Sequence, residues 1–149
     1  DMNPIGWAHQ ACVNRLTELF VRTLHGRAIV QPQGPVRLSE RSLPQPDLAL
    51  LRPRTDFYAH GGPGPADVLL LVEVSDTTLA YDRDVKVPLY ARAGIPEVWL
   101  VDLAGGQVLV FREPEHDGYR DSRVYRPGDA LSPQAFPDMS LAVDDLLGT

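Results

Sequence analysis

The chain has 149 residues, 44% of them hydrophobic and 23% charged, which is the size and make-up of one packed domain rather than two. With 12 glycines and 14 prolines it is loop-rich and globular, and its longest strongly apolar stretch, Val68 to Val72, is far too short to cross a bilayer. Fourteen basic residues against twenty acidic ones leave a net charge of −6, which argues against holding nucleic acid by bulk electrostatics.

From Trp7 to His25, apolar side chains at Ala8, Cys12, Leu16, Leu19, Phe20 and Leu24 follow the three-and-four spacing of an amphipathic helix, with Gly26 as its stop. Between Arg27 and Leu51 the pattern shortens into three strand-like pieces, RAIVQ, PVRLS and DLALL. Residues 52 to 67 lack a periodic apolar face and cluster Gly and Pro, which predicts a mobile connecting loop. Gly61-Gly62-Pro63-Gly64 has neither the spacing nor the strand-to-helix setting of a phosphate-binding loop. Val68 to Ser75 is an apolar run broken by one glutamate, the pattern of a central strand buried on both faces.

After a polar turn, helical spacing runs from about Asp84 to Ala93 and stops at Gly94-Ile95-Pro96. Pro88 must sit near the start of that helix or mark a kink. Glu97 to Leu103 is the next strand, and a strand–helix–strand crossover of this length predicts a parallel unit. Ala104-Gly105-Gly106 turns the chain into a hairpin partner, QVLVFRE. The turn-rich remainder holds a short strand in SRVYRP and a short helix around Asp144. The reading is one α/β (α+β) domain around a mixed sheet.

Glu73 needs explaining, because a carboxylate inside an apolar strand is costly unless something pairs with it. The ordinary explanation is a buried ion pair with an arginine such as Arg37 or Arg52. Alternation puts Leu69, Leu71, Glu73 and Ser75 on one face, and Asp47 on a face with Ala49 and Leu51. If the two runs pair as an antiparallel hairpin with Leu51 opposite Leu69, Asp47 falls opposite Glu73. Two neighbouring carboxylates ask for a cation, and oxygen ligands of this kind suit Mg²⁺. Lys86 is the only lysine among the fourteen basic residues. It is either the survivor of a coding bias or a compact ammonium whose work arginine cannot do. From the helix after the strand it could reach the same cavity. Metal, carboxylates and one lysine together suit phosphodiester hydrolysis.

PDLALL followed by LLLVEVSDTTLAYDRDVKVPLYARAGIPEVWLVDL resembles the Uma-type family of putative restriction endonucleases, a branch of the PD-(D/E)XK nuclease superfamily. The likeness continues more weakly from PIGWAH to FPDMSLAVDDLL. It implies a restriction-endonuclease-like mixed β-sheet flanked by helices, with Pro46-Asp47 as the PD of the motif and Glu73 as its second acid. Ser75 stands at the usual lysine position, and the lysine has moved onto the following helix as Lys86. Asp82 and Arg83 belong to the same motif, and His9 matches a histidine common in the family. Family members usually carry a leading segment with an acidic residue, so the single domain 1–149 reads as short of an N-terminal piece. Tyr90 and Trp99 read as core residues.

The implied function is a Mg²⁺-dependent DNA endonuclease, with Mn²⁺ as a substitute, acting on double-stranded DNA as a homodimer. Asp47 and Glu73 are its metal ligands, Lys86 completes the catalytic set, and Ser75, Asp82 and His9 are secondary candidates. Arg52, Arg54, Arg83 and Arg92 are placed to contact phosphates. From residue 102 onward nine acids face four arginines, whereas residues 1 to 101 hold eleven acids and ten basic residues. DNA binding is therefore expected to be weak and salt-sensitive. The competing readings are a non-catalytic nuclease-like scaffold that binds DNA or a partner protein, and a hydrolase of another phosphate ester. One cysteine and the lack of a charged-then-apolar leader read as an intracellular, cytoplasmic chain.

Overall fold

The apolar run at the middle of the chain forms an eight-residue strand, β3 (Val68–Ser75), buried at every position but Leu69. The computed structural model describes residues 6–149, so the first two residues of the PIGWAH stretch lie outside the described residues. Around β3 the chain lays down a six-stranded mixed sheet in the order β1 (Ile29–Pro32), β2 (Leu48–Leu51), β3, β4 (Glu97–Asp102), β5 (Gln107–Pro114) and β6 (Tyr119–Tyr125). Only the β3–β4 pair is parallel, as the crossover predicts; the others are antiparallel. A second, two-stranded sheet joins β7 (Ala130–Leu131) to β8 (Leu141–Ala142).

Period-two alternation divides the sheet's side chains between two cores. One face carries Leu48, Leu50, Leu70, Val72, Val74, Trp99 and Val101 against helix α1 (Trp7–Leu24) and the C-terminal helix α4 (Val143–Leu147). The other carries Ala49, Leu51, Leu71, Val98 and Leu100 against Val87 and Tyr90 of the crossover helix. Cys12, Val13, Leu16, Phe20 and Leu24 form the buried stripe of α1, while Ala8, expected on it, is exposed. His25 ends α1 in the left-handed conformation.

Three expectations need correction. PVRLS is not a strand: the amides of Val36, Arg37 and Leu38 bond to the carbonyls of Pro44, Pro63 and Ser42, so loop contacts take the donors a ladder would use. Residues 52–67 form the connecting loop expected, with turns built on Asp56 and a short 3-10 helix over Pro65–Asp67. The Asp56 carboxylate accepts from Arg54 and from the backbone N–H groups of Tyr58 and His60, while the Arg54 guanidinium lies 4.0 Å over the Tyr58 ring. The strand expected in SRVYRP starts earlier, at Tyr119.

The crossover helix also begins early. It comprises α2 (Leu79–Tyr81), a π-helical turn over Asp82–Lys86, and α3 (Val87–Arg92). Pro88 explains the wide turn: it has no N–H to give, and its ring cannot pack against a carbonyl four residues back, so the preceding amide, Val87 N–H, reaches to the Asp82 carbonyl five residues back. Gly94, at φ 80°, then allows the reversal in which Ile95 N–H bonds to the Tyr90 carbonyl.

Candidate active site

The register between β2 and β3 brings the two predicted acids together. Leu48 pairs with Val72, Ala49 with Leu71 and Leu50 with Leu70, the alignment that sets Asp47 beside Glu73. The expected Leu51–Leu69 pair is absent, because a bulge after Leu50 places Leu51 opposite Val68. Asp47 stands immediately before β2, where its backbone N–H donates to Glu73 Oε1 at 3.2 Å. In return, Asp47 Oδ2 accepts the backbone N–H of Val74 at 2.7 Å. The two carboxylates are thus fixed to each other's strands by reciprocal main-chain bonds.

Glu73 is 2% exposed. Among the described residues no arginine compensates it: Arg52 Nε bonds to the Ala66 carbonyl instead. Its side-chain partners come from the crossover helix. Tyr90 donates its hydroxyl to Glu73 Oε2, and Lys86 Nζ lies 3.5 Å from the same oxygen. Burial pushes the Glu73 carboxyl up to about 7; the Lys86 ammonium pulls it down and the Asp47 charge pushes it further up. Burial alone would lower the Lys86 ammonium, but Glu73 and Asp82 outweigh it and the group stays raised. Burial and the neighbouring Glu73 charge hold the Tyr90 hydroxyl firmly protonated, as a donor.

The secondary candidates divide. Asp82 is buried, and its carboxylate accepts from Ser75 Oγ and from Thr78 Oγ1 at 2.9 Å, with Lys86 Nζ 3.2 Å away. Ser75, two residues beyond Glu73, therefore touches the lysine's other carboxylate partner. His9, from the opposite helix, places Nε2 3.2 Å from Asp47 Oδ1, while its Nδ1 is buried without a partner among the described residues. Six of the residues named from sequence, Asp47, Glu73, Ser75, Asp82, Lys86 and His9, thus form one connected cluster.

The four arginines do not join it. Arg54 is tied to Asp56 at 2.7 Å, Arg83 to its neighbour Asp84 at 2.9 Å, and Arg92 to Asp117 at 3.5 Å. Sequence reasoning also passed over Tyr90, assigning it to the core. The signal was present in the spacing: Asp82, Lys86 and Tyr90 recur every four residues, so one helical stripe delivers all three to β3.

Among the described residues, no group of three or more His, Cys, Asp or Glu side chains is arranged to hold a metal ion. The donor chemistry of the central pair nevertheless suits a hard divalent cation that keeps most of its water. A carboxylate oxygen can accept about two hydrogen bonds, yet Asp47 Oδ1, Asp47 Oδ2 and Glu73 Oε1 each have a single partner. Asp47 and Glu73 would hold such an ion, whose charge would offset the burial that raises the Glu73 carboxyl.

A family model described as Uma2, putative restriction endonuclease, matches residues 1–144. A crystal structure described as a putative nuclease belonging to DUF820, from Anabaena variabilis, shares the fold. Its TM-score is 0.71 at 16% sequence identity, covering 99% of this chain and 83% of that one. No curated protein matches the chain. Among the described residues no helix is long and apolar enough to cross a membrane.

Proposed function

The chain belongs to the Uma2 family of putative restriction endonucleases, and from that membership and the geometry of the cluster we propose that it is a Mg²⁺- or Mn²⁺-dependent DNA endonuclease. The observation that carries the reading is the meeting of Lys86 Nζ with Glu73 Oε2 at 3.5 Å, while Glu73 Oε1 accepts the amide of Asp47. Glu73 thus joins Asp47, just before the neighbouring strand, to an ammonium from the crossover helix.

When bound, the divalent ion supplies charge neutralisation at the scissile phosphate and acidifies its water. Asp47 and Glu73 hold it, kept in place by Val74 N–H, His9 and Tyr90. Lys86 presents a compact ammonium that stabilises the attacking hydroxide or the charge developing on the phosphate oxygens. Because Arg54, Arg83 and Arg92 are engaged with local carboxylates, phosphate contacts must compete with those pairs. This supports weak, salt-sensitive binding of double-stranded DNA. Two such sites, as a homodimer would bring, suit cutting both strands of a duplex in one encounter.

The test is cleavage of plasmid DNA by the full chain with Mg²⁺ or Mn²⁺. Nicking is expected, reduced by on the order of 10²–10³-fold in Asp47→Ala, Glu73→Ala and Lys86→Ala. Calorimetric metal binding should vanish in Glu73→Ala and persist in Lys86→Ala. No cleavage with either metal, together with metal binding indifferent to Glu73, would overturn the reading. DNA binding without cleavage would leave the scaffold alternative.

A further inference from the structure

Asp82 is only 2% exposed and lies at the first position of the π-helical turn. A carboxylate taken out of water needs both hydrogen bonds and an opposite charge. Ser75 and Thr78 supply two hydroxyl donors on Oδ2 but no charge, and Lys86 Nζ faces Oδ1 at 3.2 Å. Among the described residues this carboxylate accepts no backbone N–H, so it does not cap the helix it stands on. Its bonds run outward, to the end of β3 and to the lysine.

Lys86 has the opposite need. A lysine side chain has a flexible four-carbon stem and gains hydration by extending into water. This one keeps a third of its side-chain surface exposed and still points inward, where Glu73 and Asp82 bracket its ammonium. Glu73 alone is a poor anchor, since its contact with the ammonium is the longer of the two, 3.5 Å against 3.2 Å, and the same oxygen already accepts the Tyr90 hydroxyl. Asp82 is held from behind by two hydroxyls.

We propose that Asp82 is a positioning residue: braced by Ser75 and Thr78, it holds the Lys86 ammonium against Glu73, and without its charge the lysine swings away into solvent. Ser75 thereby supports the ammonium at one remove, through a hydroxyl–carboxylate–ammonium chain. The inference rests on the reading of Lys86 as part of the active site.

Because Lys86 is the only lysine in the sequence, its position can be followed without reference to activity. Full-length chain grown on lysine labelled with ¹³C at Cε gives one resonance. In the parent protein its two Hε protons are expected to be inequivalent, because the ammonium is held between two carboxylates. In Asp82→Asn they should merge to the free-lysine position. Cleavage by that variant should fall by about 10–100-fold in turnover, at unchanged affinity for DNA. Asp82→Glu should restore part of both signals, and Thr78→Val, which removes one brace, should loosen the resonance less. A folded Asp82→Asn with parental Lys86 resonance and parental turnover would overturn the proposal. If Lys86→Ala itself leaves cleavage intact, the active-site reading fails, while the resonance still decides whether Asp82 holds the lysine.

Discussion

Two glutamates lie buried on neighbouring strands, Glu73 on β3 and Glu97 on β4, and they face opposite sides of the sheet. Glu97 meets Arg112 directly across the β4–β5 ladder, with Nε 2.8 Å from Oε2. The same oxygen accepts Trp99 Nε1, and the other accepts the backbone N–H of Gln134, both at 2.8 Å. The guanidinium is anchored in turn by the Ser132 carbonyl. Every part of that charge is answered. Glu73 has a hydroxyl, one amide and an ammonium at 3.5 Å that it shares with Asp82, and a second carboxylate stands beside it. A buried carboxylate with a closed set of partners is a tie between elements. One left partly uncompensated beside another acid can receive a cation, the role proposed for Glu73.

The contrast is broken most sharply at Glu97. Arg112→Ala leaves that carboxylate buried and unpaired, a loss of about 3–5 kcal/mol, readable as a lowered urea midpoint. Calorimetric binding of Mg²⁺ at the other glutamate should be unchanged once the variant is folded. A loss below about 1 kcal/mol would mean that Glu97 is no better compensated than Glu73.

At Glu73 the expected effect is a slope with pH. The carboxyl sits at about 7 in the folded chain against an ordinary value of 4.5, so the folded state binds the proton more tightly. Stability of the metal-free protein therefore falls as pH rises from about 4.5 to 7, by at most about 3 kcal/mol, and levels off above that window. Glu73→Gln should flatten the slope, and Arg112 variants should not. If Mg²⁺ binds as proposed it displaces the same proton, so its affinity should rise with pH over that window. A parental slope retained in Glu73→Gln would place the titration elsewhere.

Much of this contrast was legible in the sequence. A glutamate inside VLLLVEVS announces an unusual buried charge, and the hairpin alignment puts Asp47 beside it. The bulge after Leu50 was not legible, because all four residues of β2 are buried and leave no alternation to pin the register. The π-helical turn was hidden for a related reason: a search for 3.6-residue spacing places the helix start at Asp84, past the Leu79–Tyr81 turn that precedes Pro88. Tyr90 was lost to the core because its ring is core and only its hydroxyl reaches Glu73. Arg92 looked free because its partner Asp117 is brought near only by the fold, whereas the partners of Arg54 and Arg83 stand one or two residues away in the sequence itself.

Tyr90 gives the smallest and most discriminating test of the comparison. Removing its hydroxyl in Tyr90→Phe keeps the ring in the second core and deletes one hydrogen bond to Glu73 Oε2, a loss of about 1 kcal/mol at pH 8. That bond favours the ionised carboxylate, so its absence should tighten the Glu73 proton further and move the foot of the stability slope upward by less than about one pH unit. The variant should therefore cost less at pH 5, where Glu73 is already protonated, than at pH 8. Trp99 donates to Glu97 in the corresponding position, but there the adjacent guanidinium keeps the charge satisfied, and no such pH dependence should accompany its loss. Equal costs for Tyr90→Phe at both values, measured by urea unfolding, would show that the hydroxyl binds the two forms of Glu73 alike. The carboxylate would then owe its state to burial and to Lys86 alone, and the helical stripe of Asp82, Lys86 and Tyr90 would contribute charge only through its lysine.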